Sequence, residues 1–157
     1  MNAFHYQLQN AIVLRRTASN ADYYVNAGST RQQGIESQAW YRLLPNSNRF
    51  VTEARIWISH TWNKFRYIDF VKDTVSYAGK LLPSVAPHLL SAGLDLSIRP
   101  GFYANLTWFY SDPVPLNDAN TVSAASYHVA GSRVGWKTSL HDRLQVNFFG
   151  GIDNIFG

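Results

Sequence analysis

Five histidines, His5, His60, His88, His128 and His141, and the run Ser139 to Asp142 are the residues whose types could carry chemistry in this chain. Histidines hold a metal when i, i+2 or i, i+4 spacing brings them onto one face. These five are far apart in sequence, which fits scattered surface or interface positions, and His60 beside Trp62 fits an interfacial one. Ser139, His141 and Asp142 are a nucleophile, a base and an acid by type. Crowded into one tight turn, they cannot line up as a catalytic relay, so turn formation is the reading they support. Asn105-Leu106-Thr107 matches a glycosylation sequon but falls inside an alternating segment rather than a loop. Cysteine is absent, which removes disulfides and thiolate metal sites, and no cofactor is expected.

Charged residues make up 15% of the chain and aromatic residues another 15%. Soluble domains carry roughly 25% charge, so this chain is short of solvating groups. No segment approaches the roughly 20 consecutive apolar residues of a membrane helix. The fourteen lysines and arginines give a net charge of +4 but stand singly, Arg15-Arg16 excepted. Without a basic stripe, nucleic acid is not an expected partner. The first residues, Met1 to Tyr6, show neither a basic n-region nor an apolar h-region. Either a cytosolic protein or a chain whose start lies elsewhere is expected from that.

The elements that must position these residues are strands, because apolar and polar residues alternate with period 2. Phe102, Ala104, Leu106, Trp108 and Tyr110 share one face against Tyr103, Asn105, Thr107 and Phe109. Leu90 to Ile98, Leu144 to Phe149 and Ala54 to Ser59 alternate in the same manner, and Ile35 to Leu43 and Ala130 to Lys137 do so less cleanly. Phe4 to Leu14 makes a seventh strand, and no capped helix with a 3.6-residue period is present. Turn chemistry at Pro45 to Asn48, Arg99 to Gly101 and Leu140 to Asp142 alternates with polar stretches expected to be loops, about 15 to 33, 63 to 87 and 111 to 126.

Short turns on one rim and long loops on the other describe a bacterial outer-membrane β-barrel wall. Strands beginning near Phe4, Phe50, Gly101 and Arg143 then climb outward, and those beginning near Gly34, His88 and Tyr127 descend. Trp62, Trp108 and Tyr110 fall at the outer interface and Tyr41, Phe102 and Trp136 at the inner one, as aromatic girdles. No charge falls in the middle of the apolar face. The alternative is a small soluble β-sandwich or lipocalin-like binding module. Against it stands the second face, rich in Asn, Gln, Ser, Thr, Gly and Tyr rather than in Lys and Glu. An outer-membrane enzyme of lipase or protease type would need a convergent Ser, His and acid set, which the chain lacks.

Bacterial single-chain barrels close with an even strand number of at least eight, so seven strands are expected to be part of a larger wall. Gly151 to Gly157 ends in mid-pattern, and further chain is expected on both sides.

Several segments resemble the C-terminal part of the barrel of TonB-dependent outer-membrane receptors. Tyr24-Val25-Asn26-Ala27-Gly28 with Arg31 and Gly34-Ile35-Glu36 is similar to the family's YxNxGxxxxxGxE strand start. Tyr77 to Pro83 followed by Pro87-His88, Asn117 to Thr121 leading to Ser126-Tyr127, and Gly151-Ile152-Asp153-Asn154-Ile155-Phe156 resemble successive later segments, the last being similar to the xNLF signature. The resemblance implies an all-β antiparallel meander of about seven strands, part of a transmembrane barrel of the ~22-stranded class. It also implies active import of a ferric siderophore, ferric citrate, haem, cobalamin or a similar scarce nutrient, energised through TonB. The family's signal peptide, TonB box, plug domain and last strand are not matched here. Implied partners are outer-membrane lipid, the rest of the barrel and its plug, the TonB complex through an N-terminal region, and the nutrient ligand.

On this reading the polar face lines the lumen, with Glu36, Gln38, Arg42, Arg55, Asp95, Asn105, Arg133, Gln145 and Asn147 as candidates. Arg15, Arg16, Arg31, Arg66 and Tyr67, placed in the long loops, are candidates for attracting an anionic chelate. Sequencing the flanks is expected to show an open reading frame on both sides. A frame ending at Gly157 with a detergent-free soluble monomer would overturn the barrel reading.

Overall fold

Alternating side chains and satisfied backbone groups together favour an antiparallel ladder, and the computed structural model shows one. It describes residues 1–10, 12–17, 19–26, 28–43, 50–72, 74–140 and 144–156. In chain order the strands are β1 (Asn2–Leu8), β2 (Ile12–Arg16), β3 (Asp22–Asn26), β4 (Ser29–Arg42), β5 (Val51–Asp69), β6 (Val71–Lys72) and β7 (Val75–Ser76). There follow β8 (His88–Ile98), β9 (Phe102–Ser111), β10 (Val114–Pro115), β11 (Ser123–Ala124), β12 (Tyr127–Leu140) and β13 (Leu144–Ile152). Seven of them form one sheet in the order β1-β4-β5-β8-β9-β12-β13, and β2-β3, β6-β7 and β10-β11 are separate two-stranded ribbons. The expected seven-stranded meander is thus present, whereas a sandwich would divide its long strands between two sheets.

Pairing register explains the two-faced pattern. Ile98, Phe102 and Trp136 stand in line across three strands, as do Leu96, Ala104 and Val134, while Asp95, Asn105 and Arg133 line up on the opposite face. A slip of one residue in any strand would carry its apolar set to the polar side, so the faces fix the register. The tight turn expected at Arg99 to Gly101 is in place, with Gly101 at φ 129 donating its N–H to Ile98 O at 2.9 Å. The turns expected at Pro45 to Asn48 and at Leu140 to Asp142 fall on residues 44–49 and 141–143, outside the described residues, as does His141.

The expected loops are shorter than the sequence suggests. The first strand ends at Leu8 rather than Leu14, and Ile12 onward pairs with β3 instead. Strand β4 starts at Ser29, and β5 runs for 19 residues to Asp69, well into the stretch expected to be loop. Period-2 alternation fades where both faces are polar, but the backbone ladder continues because it does not depend on side-chain polarity. Arg31, Arg66 and Tyr67, expected in loops, therefore lie on β4 and β5.

Two compact units divide the chain. The first comprises Met1–Glu36, Thr61–His88 and Asp112–Ser126. Its core is Tyr67 and Phe70, 4% and 3% exposed, with Tyr77 and Leu82 packed against them. Ring centroids are 4.9 Å apart for Tyr67–Phe70 and 5.6 Å for Phe70–Tyr77.

The second unit comprises Ser37–His60, Leu89–Ser111 and Tyr127–Gly157. Its apolar face stays open: Ile56, Leu106, Val134 and Phe148 are 43%, 49%, 60% and 60% exposed. An apolar area of this extent needs hydrocarbon or a partner against it. On it Phe102 stacks on Trp136 at 5.9 Å, and Trp136 on Phe148 at 6.2 Å, an aromatic row across three strands. On the polar face small residues seat large ones. A Cβ at Gly93 would come within 2.5 Å of the Trp57 ring.

Gly93→Ala is therefore expected to lower stability by about 1 to 3 kcal/mol through overpacking. Urea unfolding of the folded barrel, followed by tryptophan fluorescence, reads it. Adding Trp57→Leu should recover most of the loss, because it removes the ring that the new methyl meets.

Candidate ligand path: the polar face and the loop clasp

Cross-strand neighbours on the polar face of the second unit are joined by polar contacts. The Arg55 guanidinium donates from Nη2 and Nε to Asp95 Oδ2 at 2.8 and 3.2 Å. The other carboxylate oxygen, Oδ1, accepts from Asn105 Nδ2 at 2.7 Å. Three adjacent strands, β5, β8 and β9, thus place three of the sequence-derived candidates in one hydrogen-bonded group. Tyr103 donates its hydroxyl to Asn147 Oδ1 at 3.1 Å, Lys137 lies 4.9 Å from the centre of the Tyr103 ring, and Arg133 lies 5.0 Å from that of Phe149. Cations over rings keep their charge while sheltering aromatic surface on a face that is otherwise polar.

The remaining candidates are less engaged. Gln38 and Arg42 are exposed on β4, and Gln145, opposite Ser139, is exposed on β13. Glu36 belongs to the first unit, opposite Asn2 and exposed. Trp57, Tyr103, Lys137 and Phe149 extend the polar-face group beyond the candidates named from sequence. Their odd position in the alternation marks their side, but their aromatic and aliphatic bulk directs attention to a core instead.

The first unit carries a second arrangement, which alternation could not reveal. Tyr67, buried on β5, donates its hydroxyl to Asp118 Oδ1 at 2.7 Å, and Asp118 is itself only 9% exposed. Asn120 accepts Leu81 N–H at its Oδ1 at 2.8 Å and donates Nδ2 to Leu81 O at 2.9 Å, so one amide meets both backbone groups of that residue. Asn63 Nδ2 donates to Ala86 O at 3.1 Å, and Ser84 N donates to Pro115 O at 2.9 Å. Within the 112–126 segment, Asn117 Oδ1 accepts Thr121 N–H at 2.9 Å. The segments 70–87 and 112–126 are in this way clasped to each other and to β5. Only the Asn and Asp content of 117–120 signals it in sequence, as turn chemistry.

Tyr67, expected to attract ligand, is thus held within the clasp. Arg31 and Arg66 are exposed on their strands, and the backbones of Arg15 and Arg16 pair with Tyr23 and Asp22 in the β2-β3 ribbon. Among the described residues no three or more of His, Asp and Glu converge to hold a metal ion.

An antiparallel meander whose apolar face is left open, with an aromatic row across it and a hydrogen-bonded polar face behind, is the wall of a membrane β-barrel. A family model described as TonB dependent receptor-like, beta-barrel matches residues 1–155, and the chain belongs to that family. Its place is accordingly the bacterial outer membrane, as part of a receptor of a transporter family rather than an enzyme family.

The two arrangements differ in burial, and their energetics should differ in step. Tyr67→Phe leaves a buried carboxylate short of a donor and is expected to cost about 1.5 to 3 kcal/mol. Asp95→Asn acts on a pair whose side chains are 45% and 23% exposed, and is expected to cost under about 1 kcal/mol. Denaturant titration of both variants gives the ranking, and limited proteolysis should cut within 112–126 faster in the first variant only.

Proposed function

We propose that this chain forms part of the wall of a receptor that imports an anionic ferric chelate, a ferric siderophore or ferric citrate, with energy supplied through TonB. The observation that carries the reading is the two-faced sheet of a TonB-dependent receptor barrel, on whose polar side Arg55, Asp95 and Asn105 are joined by hydrogen bonds across three strands. The open apolar face meets outer-membrane lipid. Arg55, Asp95, Asn105, Arg133 and Asn147, with Glu36, Gln38, Arg42 and Gln145, line the lumen and face a plug domain. The TonB complex is the energy-coupling partner on this reading. Positive charge favours an anionic ligand: the chain carries +4, and Arg15, Arg16, Arg31 and Arg66 lie in or next to the connections on one rim. Such a field speeds encounter more than it adds contact energy. Tyr67 contributes by holding the rim in shape.

Uptake of radiolabelled iron, presented as ferric citrate or as individual ferric siderophores, tests the reading in cells deleted for the whole receptor. Loss of uptake of one chelate, reproduced in cells lacking TonB, is the expected result. Unchanged uptake of every chelate would remove the iron assignment. Arg15→Glu with Arg16→Glu in the complete receptor should slow uptake several-fold at low ionic strength and progressively less as salt shortens the Debye length below about 10 Å.

A further inference from the structure

The connection after β9 has its polarity the wrong way round for a free loop. From Pro113 to Ser126 its single charged residue is Asp118, and that carboxylate is buried against the Tyr67 hydroxyl. Exposed instead are Pro113, Leu116 and the run Thr121-Val122-Ser123-Ala124-Ala125-Ser126. Within the hairpin Val114 pairs with Ala124 and Pro115 with Ser123, and Leu116 N donates to Val122 O at 2.9 Å. Val114, Leu116, Val122 and Ala124 therefore share one side, on which Leu116 and Val122 are more than half exposed.

Pairing geometry determines which backbone groups are left over. In an antiparallel ladder successive residues direct their N–H and C=O alternately toward the partner strand and away from it. Leu116 and Val122 are joined inward, and by alternation so are Val114 and Ala124, while Pro115 and Ser123 point outward on opposite edges. Pro115 behaves accordingly: it has no N–H, and its outward C=O accepts the Ser84 N–H at 2.9 Å, so the 70–87 segment covers the β10 edge. On the β11 edge no strand among the described residues pairs, and the N–H and C=O of Ser123 and Ala125 face that side. Open edges are ordinarily blunted by Lys or Pro, and Thr121 to Ser126 contains neither. The edge is also held in place. Asn117 Oδ1 accepts the N–H of Thr121 at 2.9 Å and of Val122 at 3.4 Å, Asn117 Nδ2 donates to Thr121 Oγ1 at 2.7 Å, and Asn120 grips the Leu81 backbone. A strand arriving there meets a template already ordered and forgoes the entropy of ordering it.

We infer that β11 and its continuation to Ser126 form a strand-addition site for an extended, uncharged peptide segment of a partner protein. Main-chain groups of Ser123 and Ala125 supply the hydrogen bonds. Side chains of the incoming strand that fall on the Leu116 and Val122 side extend that apolar patch, so apolar residues at every second position are preferred. No charge lies along the edge to attract an ionic sequence. Six residues of extended chain span about 20 Å and bury well below the roughly 1,200 Å² of a stable protein–protein interface. A short linear segment bound weakly, rather than a second receptor held by this edge alone, is the occupant that fits.

The complete receptor, extracted in detergent, is titrated by fluorescence anisotropy with a short, labelled, end-blocked peptide alternating Val and Ser. A Kd of about 10 to 100 μM is expected. Ser123→Pro, which removes an outward N–H and leaves the hydrogen bonds of the β10-β11 pair intact, should weaken binding by about tenfold or more, as should Ala125→Lys. Heat-modified gel mobility and unchanged proteolysis within 112–126 show that both variants keep the fold. The same peptide N-methylated throughout, which keeps its side chains but has no donors, should lose affinity by a similar factor. Undiminished binding in Ser123→Pro, equal binding of the N-methylated peptide, or no saturable binding of the parent peptide up to about 1 mM overturns the assignment. A receptor mass that is doubled, and that Ser123→Pro returns to single, makes the occupant a second copy and overturns it as well.

Discussion

Backbone hydrogen bonding between neighbouring strands is the constraint on which everything else here depends. Hydrocarbon offers no donor or acceptor, so each N–H and C=O within the membrane must be met by an adjacent strand. The meander order β1-β4-β5-β8-β9-β12-β13 meets this demand with antiparallel neighbours drawn from successive parts of the chain. Given that ladder, side chains are sorted by parity alone. One parity is free to become apolar and the other to become a polar surface, and Asp95 beside Asn105 or Ile98 beside Phe102 follows from the register that the ladder imposes.

The ladder also explains how a thin wall carries so much bulk. A single sheet has no interior of its own, so large rings must be accommodated by neighbours in the same layer. Gly93 beneath Trp57 and Gly135 beneath Tyr103 are the solution on the polar side. On the apolar side the rings of Phe102, Trp136 and Phe148 lie against one another, where Ile98, Phe102 and Trp136 share a row of the register. The first unit solves the problem differently. There the segment 77–82 pairs along β5 through its backbone, Tyr77 and Leu82 pack against Tyr67 and Phe70, and those two rings acquire a buried environment.

What could be read from sequence divides along the same line. Wherever one parity was apolar, as from Phe102 to Tyr110, both the strand and its faces were legible. At Ser29 to Gln33 both parities are polar, and at Asn63 to Asp69 Phe65, Tyr67 and Ile68 are interspersed with Asn, Lys, Arg and Asp on both parities, so a continuing strand looks like a loop. Arg31, Arg66 and Tyr67 were misplaced for that reason. The pairing of Arg55 with Asp95, 40 residues apart, needs the register between strands, which composition does not encode. The clasp through Asp118 and Asn120 was less legible still, because it depends on two connections meeting, and nothing periodic marks such a meeting.

The amide of Asn120 gives that clasp an unusual freedom. It reads Leu81 only through that residue's N–H and C=O, so it is indifferent to which side chain position 81 displays. A fastening that recognises main chain alone lets the side chain at position 81 change while the backbone there keeps its partners. Substitution at that position then alters chemical identity without altering the route of the main chain.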